Sequence, residues 1–152
     1  MKILEVEGNV PLIGSVSIGG AKNSAVALIP AALLTNNKVT LTNVPDITDI
    51  DVLCDILEFM NIKVTRASGS IVIDPCEMEN AVIPDELTNK LRASYYFMSS
   101  ILAKYKHVCI NFPGGCKIGS RPIDQTIKVF RALGATVKEE EFLFTIHADE
   151  LV

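Results

Sequence analysis

The sequence predicts an α/β fold built from two copies of one supersecondary unit. Three observations lead to this prediction: a set of residues that recurs after about seventy positions, two apolar helix-like runs, and two strand-like runs that each lead into an amphipathic helix. A repeat of this length is typical of one supersecondary unit, and two such units can bury a shared core.

The first helix of each unit is predicted from an apolar run that follows a cation. Three pairs of similar residues stand at matching places in the two copies: Lys22 and Arg92, Ser24 and Ser94, Leu28 and Met98. Both runs are apolar nearly all round, which is typical of helices that are buried on every side. Pro30 lies inside the first run, and we expect it to kink or split that helix.

A strand, an amphipathic helix and two short strands follow in each unit. The strand-like runs 39–44 and 108–112 each meet a proline. One face of each following helix is apolar, formed by Leu53, Ile56, Leu57 and Met60 in the first copy and by Ile123, Ile127 and Phe130 in the second. The opposite faces are charged, so both helices are expected to face solvent. Short strands close the units at 63–65 with 71–73, and at 136–138 with 142–146.

The repeat divides the chain into three parts. Residues 1–20 are predicted to form N-terminal strands, residues 21–80 the first unit, and residues 81–152 the second unit. The offset between the copies has grown to 73 at Asp51 and Asp124, so the second copy carries an insertion within 114–119. Insertions on a repeated frame commonly carry function.

Composition narrows the class of protein. The chain has 152 residues, 49% of them hydrophobic and 21% charged, which is typical of a globular domain with a core. A net charge of −4 argues against nucleic-acid binding through a general basic surface. No apolar run is long enough to cross a bilayer, and the start lacks a signal-peptide pattern. The four cysteines form no CxxC pair, so we expect reduced thiols in the cytoplasm, with no metal or cofactor.

The inserted loop carries the strongest chemical signal in the sequence. It reads Phe112-Pro-Gly-Gly-Cys-Lys-Ile-Gly-Ser-Arg-Pro122 and sets Cys116 between glycines, close to Lys117 and Arg121. Nearby cations lower the pKa of a thiol, and the following helix start favours anions. The loop therefore predicts a nucleophile or acid beside a bound anion. Taken alone, it is also compatible with a glycine turn that holds an incidental cysteine.

Four cations stand at corresponding ends of predicted elements: Lys22, Arg92, Lys117 and Arg121. Together they predict a phosphate or carboxylate site, because helix starts and cations both favour anions. The alternative is that they are ordinary surface cations. A cation at the start of a buried helix needs a partner, which favours the anion site.

These motifs resemble a known family. Gly20-Ala-Lys-Asn23, Leu91-Arg-Ala-Ser94 and the cysteine loop are similar to those of the enolpyruvyl transferases, and in particular of the UDP-N-acetylglucosamine 1-carboxyvinyltransferases (MurA enzymes). The resemblance implies an inside-out α/β barrel of two domains, each with three βαβαββ repeats, of which about two of six are present here. It also implies transfer of the enolpyruvyl group of phosphoenolpyruvate to the 3-hydroxyl of UDP-N-acetylglucosamine, a step of peptidoglycan synthesis.

The resemblance also implies roles for single residues. Cys116 is implied as the general acid that protonates the enol carbon and forms an adduct with phosphoenolpyruvate. Lys117 is a secondary candidate for the site because it is a cation next to this cysteine. Substrate binding is implied for Lys22, Asn23, Arg92, Arg121, Pro122, Ile123, Asp124 and Gln125. Among these, Lys22, Arg92 and Arg121 would hold phosphate and carboxylate groups. The segment 121–125 would contact the uridine end, with Asp124 as a hydrogen-bond acceptor.

The chain departs from the family in length, which predicts an N-terminal fragment with an incomplete active site. In the family, the first twenty or so residues pack on the second domain, which is absent here. Faces exposed by truncation predict self-association. Two alternatives stay open: a ligand-binding or interaction module that has lost catalysis, and a βαβ module of the RNA-binding kind. Lys22, the cysteine loop and the acidic charge disfavour the last of these.

Overall fold

The computed structural model describes residues 3–111, 123–140 and 143–152, and its elements follow the predicted repeat. The first unit contains α1 (Lys22–Ala31), β1 (Val39–Thr42), α2 (Thr48–Phe59), β2 (Lys63–Ala67) and β3 (Ser70–Asp74). The second contains a short α3 (Asp85–Thr88), then α4 (Tyr96–Tyr105), β4 (His107–Asn111), α5 (Asp124–Ala132), β5 (Thr136–Glu139) and β6 (Leu143–His147). Counted from α1 in the first unit and from α4 in the second, the two units have the same order of elements, α–β–α–β–β. This shared order confirms the repeat.

Each unit forms a three-stranded sheet of the same topology. The strand orders are β1-β3-β2 and β4-β6-β5, and the central strand is antiparallel to both neighbours. The leading strand of the predicted βαβαββ order is reduced to one parallel bridge between Ile83 and Ile110. Residues 3–20, which precede the first unit, contain no strand. Their predicted packing on a second domain concerns residues beyond this chain and stays a prediction.

The two apolar helices pack against each other, as predicted. Ile29 of α1 and Met98 of α4 are fully buried, and the hydroxyl of Ser100 donates a hydrogen bond to the carbonyl of Pro30. Pro30 also acts as expected, since α1 ends one residue later and continues as a 3-10 turn, Ala32–Leu34. Burial on every side was wrong for both helices, because Leu28 of α1 is 51% exposed and Tyr96 of α4 is 37% exposed. The groove beside Leu28 and β1 is uncovered.

The outer helices α2 and α5 bury the predicted faces. Leu53, Ile56 and Leu57 are fully buried in α2, and Ile127 and Phe130 are buried in α5. The charged faces point to solvent, with exposed Asp51, Asp55, Glu58, Lys128 and Arg131. Among the helices of the described ranges, none has the length and apolarity needed to span a membrane.

Candidate functional site

The starts of four helical segments meet around one cleft of about 630 Å³. Its lining residues come from the first turns of α1, α2 and α5 and from the 3-10 turn that precedes α4: Lys22, Asn23, Asp49, Arg92, Tyr95, Gln125 and Thr126. The repeat explains this convergence. The start of α1 matches the turn before α4, and the start of α2 matches the start of α5, so each unit contributes the same two ends.

Three of these helices begin without a side-chain cap. Ala21, Ile47 and Ile123 precede α1, α2 and α5, and none provides a hydrogen-bonding side chain to the first turn. The first N–H groups of a helix have no partner within the helix, and the helix dipole places partial positive charge there. Uncapped helix starts around one cleft are therefore suited to an anionic ligand.

Lys22 lies beside Asp49 at the cleft, with 2.6 Å between Nζ and Oδ2. The Lys22 side chain is 53% exposed and that of Asp49 is 26% exposed, so the expectation of a buried cation was wrong. Helix α1 begins at the rim of the cleft, where water reaches the ammonium group of Lys22. A cation at this position was expected to need a partner, and the Asp49 carboxylate is that partner. The ion pair holds the Lys22 side chain towards the start of α2.

Positive charge prevails among the described lining residues. Lys22, Lys90 and Arg92 are cations, whereas Asp49 is the single carboxylate among the lining residues that the structure describes. A cleft that combines this charge with uncapped helix starts can bind phosphate or carboxylate groups by charge-assisted hydrogen bonds. Because the Lys22 side chain is half-exposed, a ligand can reach it directly from solvent.

Two stacked tyrosines form an aromatic wall of the cleft. The rings of Tyr95 and Tyr96 are 4.5 Å apart at an interplanar angle of 25°. Burial, together with a hydrogen bond that the Tyr95 hydroxyl donates to Tyr96, raises the pKa of Tyr95 to about 12. Tyr95 is therefore a neutral phenol near pH 7, and the pair offers apolar surface next to the cations.

Five of the predicted site residues line this cleft: Lys22, Asn23, Arg92, Ile123 and Gln125. Asp124 begins α5 but is exposed outside the lining, where it accepts a hydrogen bond from Nε2 of Gln125 at 3.0 Å. The remaining candidates, Cys116, Lys117, Arg121 and Pro122, lie outside the described residues. Their roles stay predictions, as does the absence of a metal or cofactor from the reaction.

Sequence reasoning missed Asp49, Lys90, Thr126 and the two tyrosines as parts of the site. The sequence could have indicated Asp49, because this residue lies in the first turn of the helix that follows Pro45. There it offers a carboxylate to the cations of the site. Lys90 lies two residues before Arg92 and could have been counted with it. The tyrosines were placed in the buried apolar run, although their hydroxyls are typical of the edge of a core.

The repeated α–β–α–β–β units and the helix starts around one cleft define the class of this protein: an α/β repeat protein whose two units together line a cationic cleft. Residues 6–150 match the family of EPSP synthase (3-phosphoshikimate 1-carboxyvinyltransferase). The chain therefore belongs to this family, which confirms the resemblance inferred from the motifs.

Curated relatives give a finer comparison. The chain is 48% identical over 151 residues to "UDP-N-acetylglucosamine 1-carboxyvinyltransferase 2" of Oceanobacillus iheyensis, which covers 99% of this chain and 35% of the relative. It is 46% identical to the protein of the same name from Bacillus subtilis, with the same coverage. The chain thus spans about a third of the length of these relatives.

Solved structures of the fold are also similar. The enolpyruvyl transferase NikO from Streptomyces tendae aligns with a TM-score of 0.78 at 21% identity, over 93% of this chain and 31% of that one. EPSP synthase from Acinetobacter baumannii aligns with a TM-score of 0.63 at 14% identity, over 90% and 32%. At these identities the likeness shows the fold, and it agrees with the predicted enolpyruvyl transferase architecture.

Proposed function

We propose that this chain is the substrate-binding and acid-bearing part of a UDP-N-acetylglucosamine 1-carboxyvinyltransferase. The reaction transfers the enolpyruvyl group of phosphoenolpyruvate to the 3-hydroxyl of UDP-N-acetylglucosamine and releases phosphate, the first committed step of peptidoglycan synthesis. The observation that carries the proposal is the meeting of Lys22, Asn23, Arg92 and Gln125 at one cleft. The 48% identity to a relative of this name supports the choice of substrates.

The cleft suits the charge of these substrates. Phosphoenolpyruvate carries a phosphate and a carboxylate, and the sugar nucleotide carries a diphosphate. Lys22, Lys90 and Arg92 can pair with these groups, and uncapped N–H groups at the starts of α1 and α5 can donate to their oxygens. Such donors also stabilise negative charge that develops on the leaving phosphate.

Proton transfer falls to Cys116 in this proposal. The thiol gives its proton to the methylene carbon of phosphoenolpyruvate while the sugar 3-hydroxyl attacks the neighbouring carbon and releases its own proton to water, which forms a tetrahedral ketal and leaves a Cys116 thiolate. The thiolate then takes a proton from the methyl group as the C–O bond to phosphate breaks, which restores both the thiol and the double bond in the product. Ile123 is the first described residue after the cysteine loop, and it lines the cleft. A loop that rejoins the structure there can present its thiol to a ligand held by Lys22 and Arg92.

A second candidate function is anion binding without catalysis. The chain spans 35% of the length of its relatives, yet its described residues already form a cationic cleft. In this case, the chain keeps the binding residues of the family, and turnover requires groups that it does not contain.

The proposal is tested by calorimetric titration of the 152-residue chain with UDP-N-acetylglucosamine and with phosphoenolpyruvate. We expect both to bind weakly, and we expect Lys22→Ala and Arg92→Ala each to reduce affinity by about tenfold or more, which corresponds to one lost charge-assisted contact. Lys63→Ala is the matched control, because Lys63 is an exposed cation that pairs with Glu77 outside the cleft. Equal affinity in all variants, or binding of neither substrate, would overturn the proposal.

A further inference from the structure

We propose that Asp49 is a positioning residue for the anion site. Its carboxylate holds the ammonium group of Lys22 in place at the cleft, so that Lys22 meets a phosphate or carboxylate group of the ligand without first having to be ordered. This inference rests on the proposed function, because it concerns how the anionic substrates are held. It assigns Asp49 a role that acts through Lys22 and requires no contact of Asp49 with the substrate.

The ion pair joins a flexible cation to a well-placed carboxylate. Nζ of Lys22 lies 2.6 Å from Oδ2 of Asp49, and both residues line the cleft. The Asp49 side chain is short, lies in the first turn of α2, and is about half as exposed as the Lys22 side chain. A lysine carries its charge on a flexible four-carbon stem, so its position depends on what the ammonium group contacts. The contact with Asp49 therefore determines where this ammonium group lies.

Backbone packing brings the starts of α1 and α2 together. Gly20 lies so close to the preceding segment of α2 that an added Cβ would stand 1.6 Å from the carbonyl oxygen of Asn43 and 3.3 Å from Cδ of Pro45. A residue with a side chain could not approach in this way. Gly20 leads into α1 and residues 43–45 lead into α2, so this contact sets the two first turns beside each other. The ion pair thus has a main-chain framework beneath it.

The second unit has a cation at the matching place but no such carboxylate. Arg92 matches Lys22 in the repeat, and after the insertion the offset between the copies is 73, so Pro122 stands where the first unit has Asp49. Among the described residues, no carboxylate forms an ion pair with Arg92. A guanidinium presents its donors in a planar, preorganised fork, whereas an ammonium group does not. The carboxylate therefore accompanies the cation that needs to be positioned.

Fold stability does not explain a carboxylate at this place. Ion pairs between side chains as exposed as these contribute little to stability. An acidic residue in the first turn of α2 favours the helix dipole, but Asp51 provides a second carboxylate in the same turn. By charge alone, Asp49 would repel an anion in the cleft. Its effect on Lys22 is what makes a carboxylate useful there.

Two opposing effects decide the sign of an Asp49→Asn substitution. Removing the carboxylate makes the cleft more positive, which favours an anion. It also releases the Lys22 side chain, and ordering such a side chain on binding costs roughly two- to tenfold in affinity. Salt screens the charge effect over about 8 Å at about 0.15 M ionic strength and over shorter distances at higher salt. We therefore expect the loss of positioning to outweigh the gain in charge, and to do so more clearly as salt increases.

Calorimetric titration of the 152-residue chain with phosphoenolpyruvate tests the proposal at about 0.15 M salt and at higher salt. Asp49→Asn should bind about threefold or more weakly than wild type, although its cleft is more positive. Asp49→Glu should recover part of the loss, because it restores a carboxylate that can reach Lys22. Asp51→Asn is the matched control: it makes the same change of charge in the same turn of α2, but Asp51 pairs with Arg66 outside the cleft.

A double-mutant cycle separates positioning from a structural role. In a Lys22→Ala background no ammonium group remains to be held, so adding Asp49→Asn should now raise affinity by removing a carboxylate that only repels the ligand. A structural role would lower affinity in both backgrounds, and thermal unfolding of each variant establishes that it is folded. Equal or tighter binding by Asp49→Asn, or the same effect in both backgrounds, would overturn this inference alone, provided that Lys22→Ala still binds more weakly than wild type. A wild-type chain that does not bind phosphoenolpyruvate would overturn the proposed function and this inference together.

Discussion

Ser100 and Pro30, seventy residues apart, are joined by a hydrogen bond of 2.6 Å between the Ser100 hydroxyl and the Pro30 carbonyl. Ser100 lies in α4 and is 3% exposed, and Pro30 lies in α1 and is buried. This contact links the buried helices of the two units. It also provides a partner for a hydroxyl in an apolar interface, which would otherwise carry a desolvation cost.

Replacing Ser100 by Ala should therefore destabilise the chain by about 1–2 kcal/mol, since the Pro30 carbonyl loses its side-chain partner in a buried place. Urea unfolding followed by circular dichroism measures this change. Ser17→Ala, at an exposed position before α1, serves as the control and should change the free energy of unfolding little. Equal stability of the Ser100→Ala and wild-type chains would show that water replaces the hydroxyl.

The pair Leu28 and Met98 should respond very differently to truncation, although the repeat places them at matching positions. Met98 is fully buried, so Met98→Ala should cost about 2–5 kcal/mol by removing contacts and leaving a cavity. Leu28 is 51% exposed, so Leu28→Ala should cost about 1 kcal/mol or less in the monomer. Urea unfolding at low protein concentration measures both, and similar losses at the two sites would contradict the uncovered groove.

Cys116 should be the most reactive of the four thiols near pH 7. Burial raises the pKa of Cys54 to about 11, and a hydrogen bond to the Asp74 carboxylate raises the pKa of Cys76. Both thiols therefore carry less thiolate at a given pH than an ordinary cysteine, whereas Lys117 and Arg121 are expected to favour the Cys116 thiolate. Timed alkylation with mass spectrometry tests the order, and faster labelling of Cys54, Cys76 or Cys109 would contradict it.

A variant isolates the cause at Cys76. Asp74→Asn removes the carboxylate that disfavours the thiolate, so Cys76 should be alkylated faster in this variant at pH 8. The rate at Cys54 is the internal control, because its raised pKa comes first from burial.

Stability should depend on the Tyr95 phenol at high pH. Its pKa is raised from 10.0 to about 12 in the folded chain, so the unfolded chain releases this proton first as pH rises. The contribution of the neutral phenol is fully present below pH 10 and is lost between about pH 10 and pH 12. Wild-type stability should thus fall relative to Tyr95→Phe across this interval. A constant difference between the two unfolding free energies would contradict the raised pKa.

The chain alone should release no phosphate from phosphoenolpyruvate and UDP-N-acetylglucosamine. Loss of a single positioned donor can lower kcat by about 10²–10³, and the part of the relatives beyond the matched 35% has no counterpart in this chain. A phosphate-release assay compares the wild-type chain with Cys116→Ala. Turnover by the wild type and none by the variant would show that the chain is a complete enzyme.

The sequence by itself determined the repeat, the buried and outer helices, and the cations at the helix starts. These features follow from local periodicity: the spacing of Leu53, Ile56 and Leu57 places them on one face of a helix wherever that helix lies. The cysteine loop and the motifs at Lys22 and Arg92 were equally visible, because a short motif carries its chemistry in adjacent residues. The resemblance to the enolpyruvyl transferases depended on these local signals.

Only the tertiary structure decided which helix starts meet at the cleft and which helix faces are covered. The pairing of Lys22 with Asp49 depends on how α1 and α2 are placed, and no periodicity in the sequence encodes that contact. Leu28 and Met98 occupy equivalent places in equally apolar helices, yet one is half-exposed and the other fully buried. The Ile83 segment pairs with the edge of β4, whereas no described residue pairs with the outer edge of β1, and burial depends on what packs nearby in space.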